Sequence, residues 1–132
     1  MALETVRSFL AIEFSESLIE EAGHFVEKIQ DKYPAFRFIP SENWHLTLHF
    51  FGLLKPRQIE ALKLGLPQAL KEAAPFSLSL EGFGAFPDLK RPRLLWIRMG
   101  GDIAKLLEVK KRLDAALQAM HFPIESRAYH PH

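Results

Sequence analysis

The chain has 132 residues, 48% apolar and 25% charged, with a formal net charge of +1 and no cysteine. One domain with a buried core is expected at this size. The near-neutral balance argues against wrapping a long polyanion through a strongly basic face, and leaves room for a small phosphate ligand or one nucleic-acid end. Disulfides, thiolate nucleophiles and cysteine-held zinc are excluded, and a reducing compartment such as the cytoplasm fits. The start, Met1 to Arg7, carries neither the basic segment nor the apolar run of a secretory leader, and no stretch is apolar for long enough to span a bilayer.

Arg7 to Phe14 alternates as a first strand, with Ser8, Leu10, Ile12 and Phe14 on one face. Ser15 or Ser17 can cap the helix that follows, and Ser17 with Glu20 has capping-box spacing. Leu18, Ile19, Ala22, Phe25, Val26 and Ile29 recur at helical spacing before Pro34. Phe36 to Ile39 reads as a short extended piece and Pro40 to Asn43 as a turn. His45 to Phe51 reads as a strand that Gly52 ends. Pro56 opens a second helix, in which Gly65 and Pro67 predict a kink or two short helices. Phe76, Leu78 and Leu80 alternate as a half-buried strand, Gly82 to Pro87 reads as a bulge or loop, and Arg93 to Met99 is another strand. Asp102 can cap a third helix carrying Ile103, Leu106, Val109, Leu113, Leu117 and Met120 on one face, and the last residues are extended. This order predicts an α+β protein with antiparallel sheet. A weak echo links the halves: helix, aromatic, proline, arginine, histidine run.

Two histidine runs carry the chemistry. The first is Trp44-His45-Leu46-Thr47-Leu48-His49; the second is Arg127-Ala128-Tyr129-His130-Pro131-His132. On a strand, His45, Thr47 and His49 share one face and Leu46, Leu48 and Phe50 the other. A neutral imidazole can take a proton from water near pH 7 and an imidazolium can give one to a leaving oxygen. A hydroxyl about 7 Å along the same face can donate to a phosphate oxygen. One histidine cannot be base and acid at once, so a second is required, and His132 is the candidate. The bland alternative is a solvated strand face. A zinc site is another: His45 and His49 lie about 13 Å apart, too far to share an ion, whereas His130 and His132 lie about 7 Å apart, with no third partner identifiable.

Taken whole, the sequence resembles the 2',5'-RNA ligase family of two-histidine phosphoesterases, whose bacterial members act as RNA 2',3'-cyclic phosphodiesterases. The pieces are Arg7 to Ile12, Pro40 to Gly52, Gly82 to Pro87, Arg91 to Trp96, Phe122-Pro123 and Arg127 to His132. The resemblance implies a bilobal α+β fold with antiparallel sheets lining a central cleft and helices outside. It implies one domain over residues 1–132, with C-terminal strands missing. His45 and Thr47 match the family's first His-x-Thr motif fully. His132 matches the histidine of the second, whose threonine would lie two residues beyond. The implied reaction opens a 2',3'-cyclic phosphate to a 2'-phosphate by histidine acid–base catalysis, without metal or cofactor, and run backwards it joins RNA ends. A domain that binds an RNA end or phosphate without turnover is the alternative. The implied partner is RNA with a 2',3'-cyclic phosphate end or a related cyclic nucleotide, with no membrane and no protein partner.

Arg127 could reach the phosphate or stand in solvent. Tyr129 and Phe9 could stack on a base, although Phe9 and Trp96 also suit a core. Lys90-Arg91-Pro92-Arg93 is a basic turn that could touch an RNA backbone or simply be surface charge. Missing strands would leave a sheet edge exposed and invite self-association.

Overall fold

The computed structural model describes residues 4–132. The reading of the first residues as no leader lies partly outside them. The elements in order are β1 (Val6–Ile12), α1 (Glu16–Lys32), a 3₁₀ turn (Ser41–Asn43), β2 (Leu46–Leu54), α2 (Pro56–Ala69), β3 (Leu78–Phe86), β4 (Leu94–Gly101) and α3 (Ile103–Ala119). β1 pairs antiparallel with β2 and β3 antiparallel with β4, as two sheets. The expected α+β antiparallel architecture is present.

Local chemistry explains the boundaries. Ser15 caps α1: its hydroxyl accepts from the Leu18 N–H at 3.3 Å. Ser17 lies inside the helix, so the spacing with Glu20 does not make a cap. Pro56 stands at the start of α2, where a missing N–H costs nothing, and the Gln58 side chain accepts from the Lys55 N–H at 2.8 Å. α2 runs unbroken through Gly65 and Pro67, not as two short helices. Pro67 sits in its last turn; its missing N–H leaves the Lys63 carbonyl without that internal bond, and little helix follows to be displaced. Gly65 lets Met120 approach, since a β-carbon there would meet the Met120 sulfur at 3.0 Å. Residues 36–39 pair with no strand among the described residues. β3 runs on through Gly82 to Phe86, with a register shift between Leu80 and Gly82; only the bulge half of the sequence reading applies there.

Asp102 precedes α3 but does not cap it. Its carboxylate accepts from the Ser77 N–H at 2.9 Å and fastens the helix start to the entry of β3. The far end of α3 closes as a Schellman motif. The Phe122 N–H donates to the Leu117 carbonyl at 2.8 Å and the His121 N–H to the Gln118 carbonyl at 3.0 Å. His121 takes the left-handed conformation, φ 65°, that this motif demands.

The core gathers Leu46, Leu48 and Leu54 from β2, Leu62 and Leu66 from α2, Met99 from β4, and Leu106, Leu113 and Leu117 from α3. Leu46, Leu106, Leu113 and Leu117 are fully buried, each contributing about 1.5–3 kcal/mol of transfer free energy. α1 reaches the other hairpin, where Phe25 meets Phe83 edge-on at 5.9 Å and the Tyr33 hydroxyl donates to the Leu89 carbonyl at 3.3 Å. Residues 14–45 thus lie against β3 and β4, while β2 faces α2 and α3. A hollow is left between residues 14–45 and the β3–β4 hairpin.

Candidate active site

His45 stands one residue ahead of β2, on the segment leaving the 3₁₀ turn. The turn is held by the Trp44 indole N–H, which donates to the Ile39 carbonyl at 2.9 Å. His45 and Thr47 are half-buried and alternate with buried Leu46 and Leu48, as the period of a strand requires. The alternation then breaks. Ala11 pairs with Thr47 but Leu10 with His49, so β2 carries an extra residue there, and a second one between His49 and Gly52. A bulge puts two residues against one and turns the following side chains over.

His49 is consequently buried at 5% exposure and Phe50 stands out at 71%, the reverse of the sequence expectation. The expected strand end at Gly52 is also corrected. Gly52 adopts φ 74° inside the strand, which continues to Leu54. On the outer face Phe9 stacks on the His45 ring, centroids 4.7 Å apart and planes 23° apart, and lies 6.0 Å from Phe50. Phe9 is 48% exposed, so it belongs to the histidine's surroundings and not to the core.

His132 stands on the segment that follows α3. The segment after α3 passes between the hairpins with one hydrogen bond to each. The Tyr129 hydroxyl donates to the Thr47 carbonyl of β2 at 2.9 Å, and the Met99 N–H of β4 donates to the Pro131 carbonyl at 3.4 Å. His132 Nδ1 lies 2.7 Å from the His130 carbonyl, and its ring centre is 6.3 Å from that of Trp96.

Both histidines border one cleft of about 370 Å³. Its floor includes Ala22 and Ile29 of α1, and its walls include Trp44, Trp96, Arg37 and Arg93. Among the described residues no acidic side chain lines it. A low-dielectric hollow with arginines at its edge favours an anion. Trp96 is therefore a cleft wall rather than plain core. Arg37 was not legible as a site residue; its only signal was the helix–aromatic–proline–arginine echo. A second hollow, about 590 Å³, lies between β1 and α2 and contains neither histidine.

The other sequence candidates fall elsewhere. Arg127 stands in solvent, with Nε 3.6 Å from Glu125. The Tyr129 ring packs against the core and under Lys110, whose Nζ is 5.5 Å from its centre. Burial pushes the Tyr129 hydroxyl up to about 12. Thr47, Arg127, Tyr129 and Phe9 do not line the cleft itself. His49 loses basicity, first through burial and then through the nearby Lys110 ammonium; Asp114, the Pro123 carbonyl and Glu125 oppose the shift. Its Nδ1 has no hydrogen-bond partner among the described residues. Among those residues no three metal-ligating side chains converge, His130 and His132 included.

The model of the LigT-like phosphoesterases matches residues 12–96, across the first histidine motif and the strand bearing Trp96. The chain belongs to the LigT-like phosphoesterase family. Among members of this family, it is 32% identical to an RNA 2',3'-cyclic phosphodiesterase of Aquifex aeolicus, over 98% of this chain and 69% of that protein. It is 32% identical to one of Methanocaldococcus jannaschii, over 96% of this chain and 68% of that protein. LigT-like architecture is also found in solved structures. A Thermus thermophilus protein superposes with TM-score 0.73 at 25% identity, over 96% of this chain and 70% of that one. Escherichia coli LigT in complex with 3'-AMP superposes with TM-score 0.71 at 24% identity, over 97% of this chain and 70% of that one.

Proposed function

We propose that the chain is an RNA 2',3'-cyclic phosphodiesterase, in which His45 and His132 work on one phosphorus from facing walls of the cleft. The observation that carries this reading is that two imidazoles, remote in sequence, border one hollow lined also by Arg37 and Arg93 and, among the described residues, by no acid. The relatives named above support the substrate class. Water attacks phosphorus as one imidazole takes its proton. The bond from phosphorus to the 3' oxygen breaks, and the other imidazolium protonates that oxygen, leaving a 2'-phosphate. The Thr47 hydroxyl, on the strand face of His45, donates to a non-bridging oxygen as its charge grows. With an RNA 5'-hydroxyl in place of water, the same attack breaks the bond to the 3' oxygen, which takes the proton, and leaves a 2',5' linkage, which is a ligation. No metal enters these steps.

Phe9, stacked on His45, holds the imidazole plane and offers its free face to a terminal base. Tyr129 serves the site by holding the His132 segment to Thr47. Arg127 reaches substrate only after leaving Glu125. A cytoplasmic setting suits a cysteine-free protein acting on RNA ends. Residues 1–132 act as one unit, and self-association proceeds through the open edges of the two-stranded sheets.

The test is turnover of a short RNA bearing a 2',3'-cyclic phosphate by the parent, His45→Ala and His132→Ala, with and without chelator. Each variant should lose on the order of a hundred- to ten-thousand-fold, and chelation should change nothing. Equal rates in parent and His45→Ala defeat the assignment. Tight binding of the RNA end without turnover leaves the binding domain as the reading.

A further inference from the structure

The tip of the β3–β4 hairpin, residues 86–94, is built but unused by the reaction above. Its backbone is fixed three ways. The Arg93 N–H donates to the Phe86 carbonyl at 2.6 Å. The Asp88 carboxylate accepts from the N–H groups of Lys90 and Arg91, both at 2.9 Å. The Tyr33 hydroxyl reaches the Leu89 carbonyl from the end of α1. The loop's one acid is thus turned onto its own backbone. Lys90, Arg91 and Arg93 are exposed, and none is in an ion pair among the described residues. Phe86, Leu89 and Leu94 are 58%, 52% and 58% exposed beside them.

The tip also continues into the cleft. Arg93 and Leu94 line it, and Trp96, whose ring neighbours His132, lies on β4 three residues beyond Arg93, about 10 Å away. Arg91 and Lys90 precede Arg93 in the same exposed tip and do not line the cleft. We infer that this basic hairpin tip is the docking strip for the RNA strand upstream of the cyclic end, Lys90 and Arg91 meeting backbone phosphates and Phe86 offering a stacking surface to a base. The inference rests on the cleft being an RNA-end site. Cations on a fixed backbone with apolar surface between them match a single strand, whose phosphates want charge and whose bases want a flat apolar partner. An anionic membrane would also attract basic and apolar residues, but polybasic lipid-binding segments carry some four to eight cations, and this tip has three.

The strip predicts preference for an oligonucleotide over a mononucleotide. The test uses the parent, the double variant Lys90→Ser/Arg91→Ser, which keeps the N–H groups bonded to Asp88, and the charge-matched control Lys71→Ser/Lys111→Ser. Binding is measured by fluorescence anisotropy between 50 and 200 mM salt with a labelled ten-nucleotide RNA ending in a 2'-phosphate. A competing 2'-phosphate mononucleotide and phosphatidylserine-containing vesicles complete the set. Two lost phosphate contacts on a single strand should reduce the log–log salt slope by about 1.4 and weaken oligonucleotide binding about 25-fold at 0.1 M salt. Mononucleotide binding and the control should not change. Oligonucleotide affinity within twofold of the parent's, a parent that does not bind it, or vesicle binding as the only property the variant loses overturns the strip. Turnover of the cyclic end without any oligonucleotide preference leaves the proposed reaction standing and removes the strip alone. Preference without turnover does the opposite.

Discussion

Replacing His49 with leucine tests the bulge in β2 and its consequence together. His49 is 5% exposed and its Nδ1 lacks a partner among the described residues. Leaving a buried polar atom unsatisfied costs about 1–3 kcal/mol. Leucine fills similar space without that cost, so stability at pH 7.5 should rise by about 1–2 kcal/mol, or about 3–8 °C in Tm. The pH dependence is more diagnostic. The folded imidazole titrates below its ordinary 6.5 because it is desolvated and faces Lys110, against the pull of Asp114, the Pro123 carbonyl and Glu125. Between the lowered value and 6.5 the unfolded chain holds the extra proton, so the parent loses stability as pH falls through this window. The loss cannot exceed about 1.4 kcal/mol per pH unit. His49→Leu has no such loss, so its advantage should grow from pH 7.5 to 5.5. Differential scanning calorimetry of both proteins across that range gives the difference directly, the other titrating groups cancelling. An advantage that stays constant or shrinks on acidification refutes the buried placement of His49 and with it the register of β2.

His121→Gly should gain about 0.5–1 kcal/mol, because a left-handed residue other than glycine pays about 1–2 kcal/mol and glycine returns part of the relief through its freer unfolded chain; the urea midpoint reads this, and His121→Val should move it the other way. Lys110 and Asp114 form an ion pair at 2.7 Å with side chains 9% and 26% exposed. Asp114→Ala should therefore cost about 3 kcal/mol by leaving the buried ammonium alone, while Lys110→Met stays within about 1 kcal/mol of the parent; equal losses in both would count against this. A β-carbon on Gly84 would stand 2.7 Å from the Trp96 indole nitrogen. Gly84→Ala should push the indole off its seat beside His132, shift tryptophan emission and cost about 1–3 kcal/mol; an unchanged spectrum and melt would show that the seat is loose.

Much of the fold was legible because its signals are local. Ser15, Pro34, Pro56 and the apolar spacing of α1 and α3 mark helices without reference to anything distant. His45 and Thr47 were legible for the same reason, since alternation against Leu46 and Leu48 needs only a strand. The sequence left a kink and a split at Gly65 and Pro67 both open; that α2 stays one helix depends on how near Pro67 lies to its end and on Met120 packed at Gly65.

The sequence by itself determined the elements, the antiparallel α+β class and the two histidine runs, because helix caps, proline and strand alternation act over a few residues. Tertiary structure alone decided which side each residue of β2 takes after Leu48. A bulge is set by pairing with β1 from outside the segment, and one extra residue sent His49 inward and Phe50 outward. It alone decided that the Tyr129 hydroxyl would tie the last segment to Thr47, and that His45 and His132 would border one hollow. Those two rings are separated by most of the chain, and only the packing of the hairpins against each other and against α1 sets the distance between them.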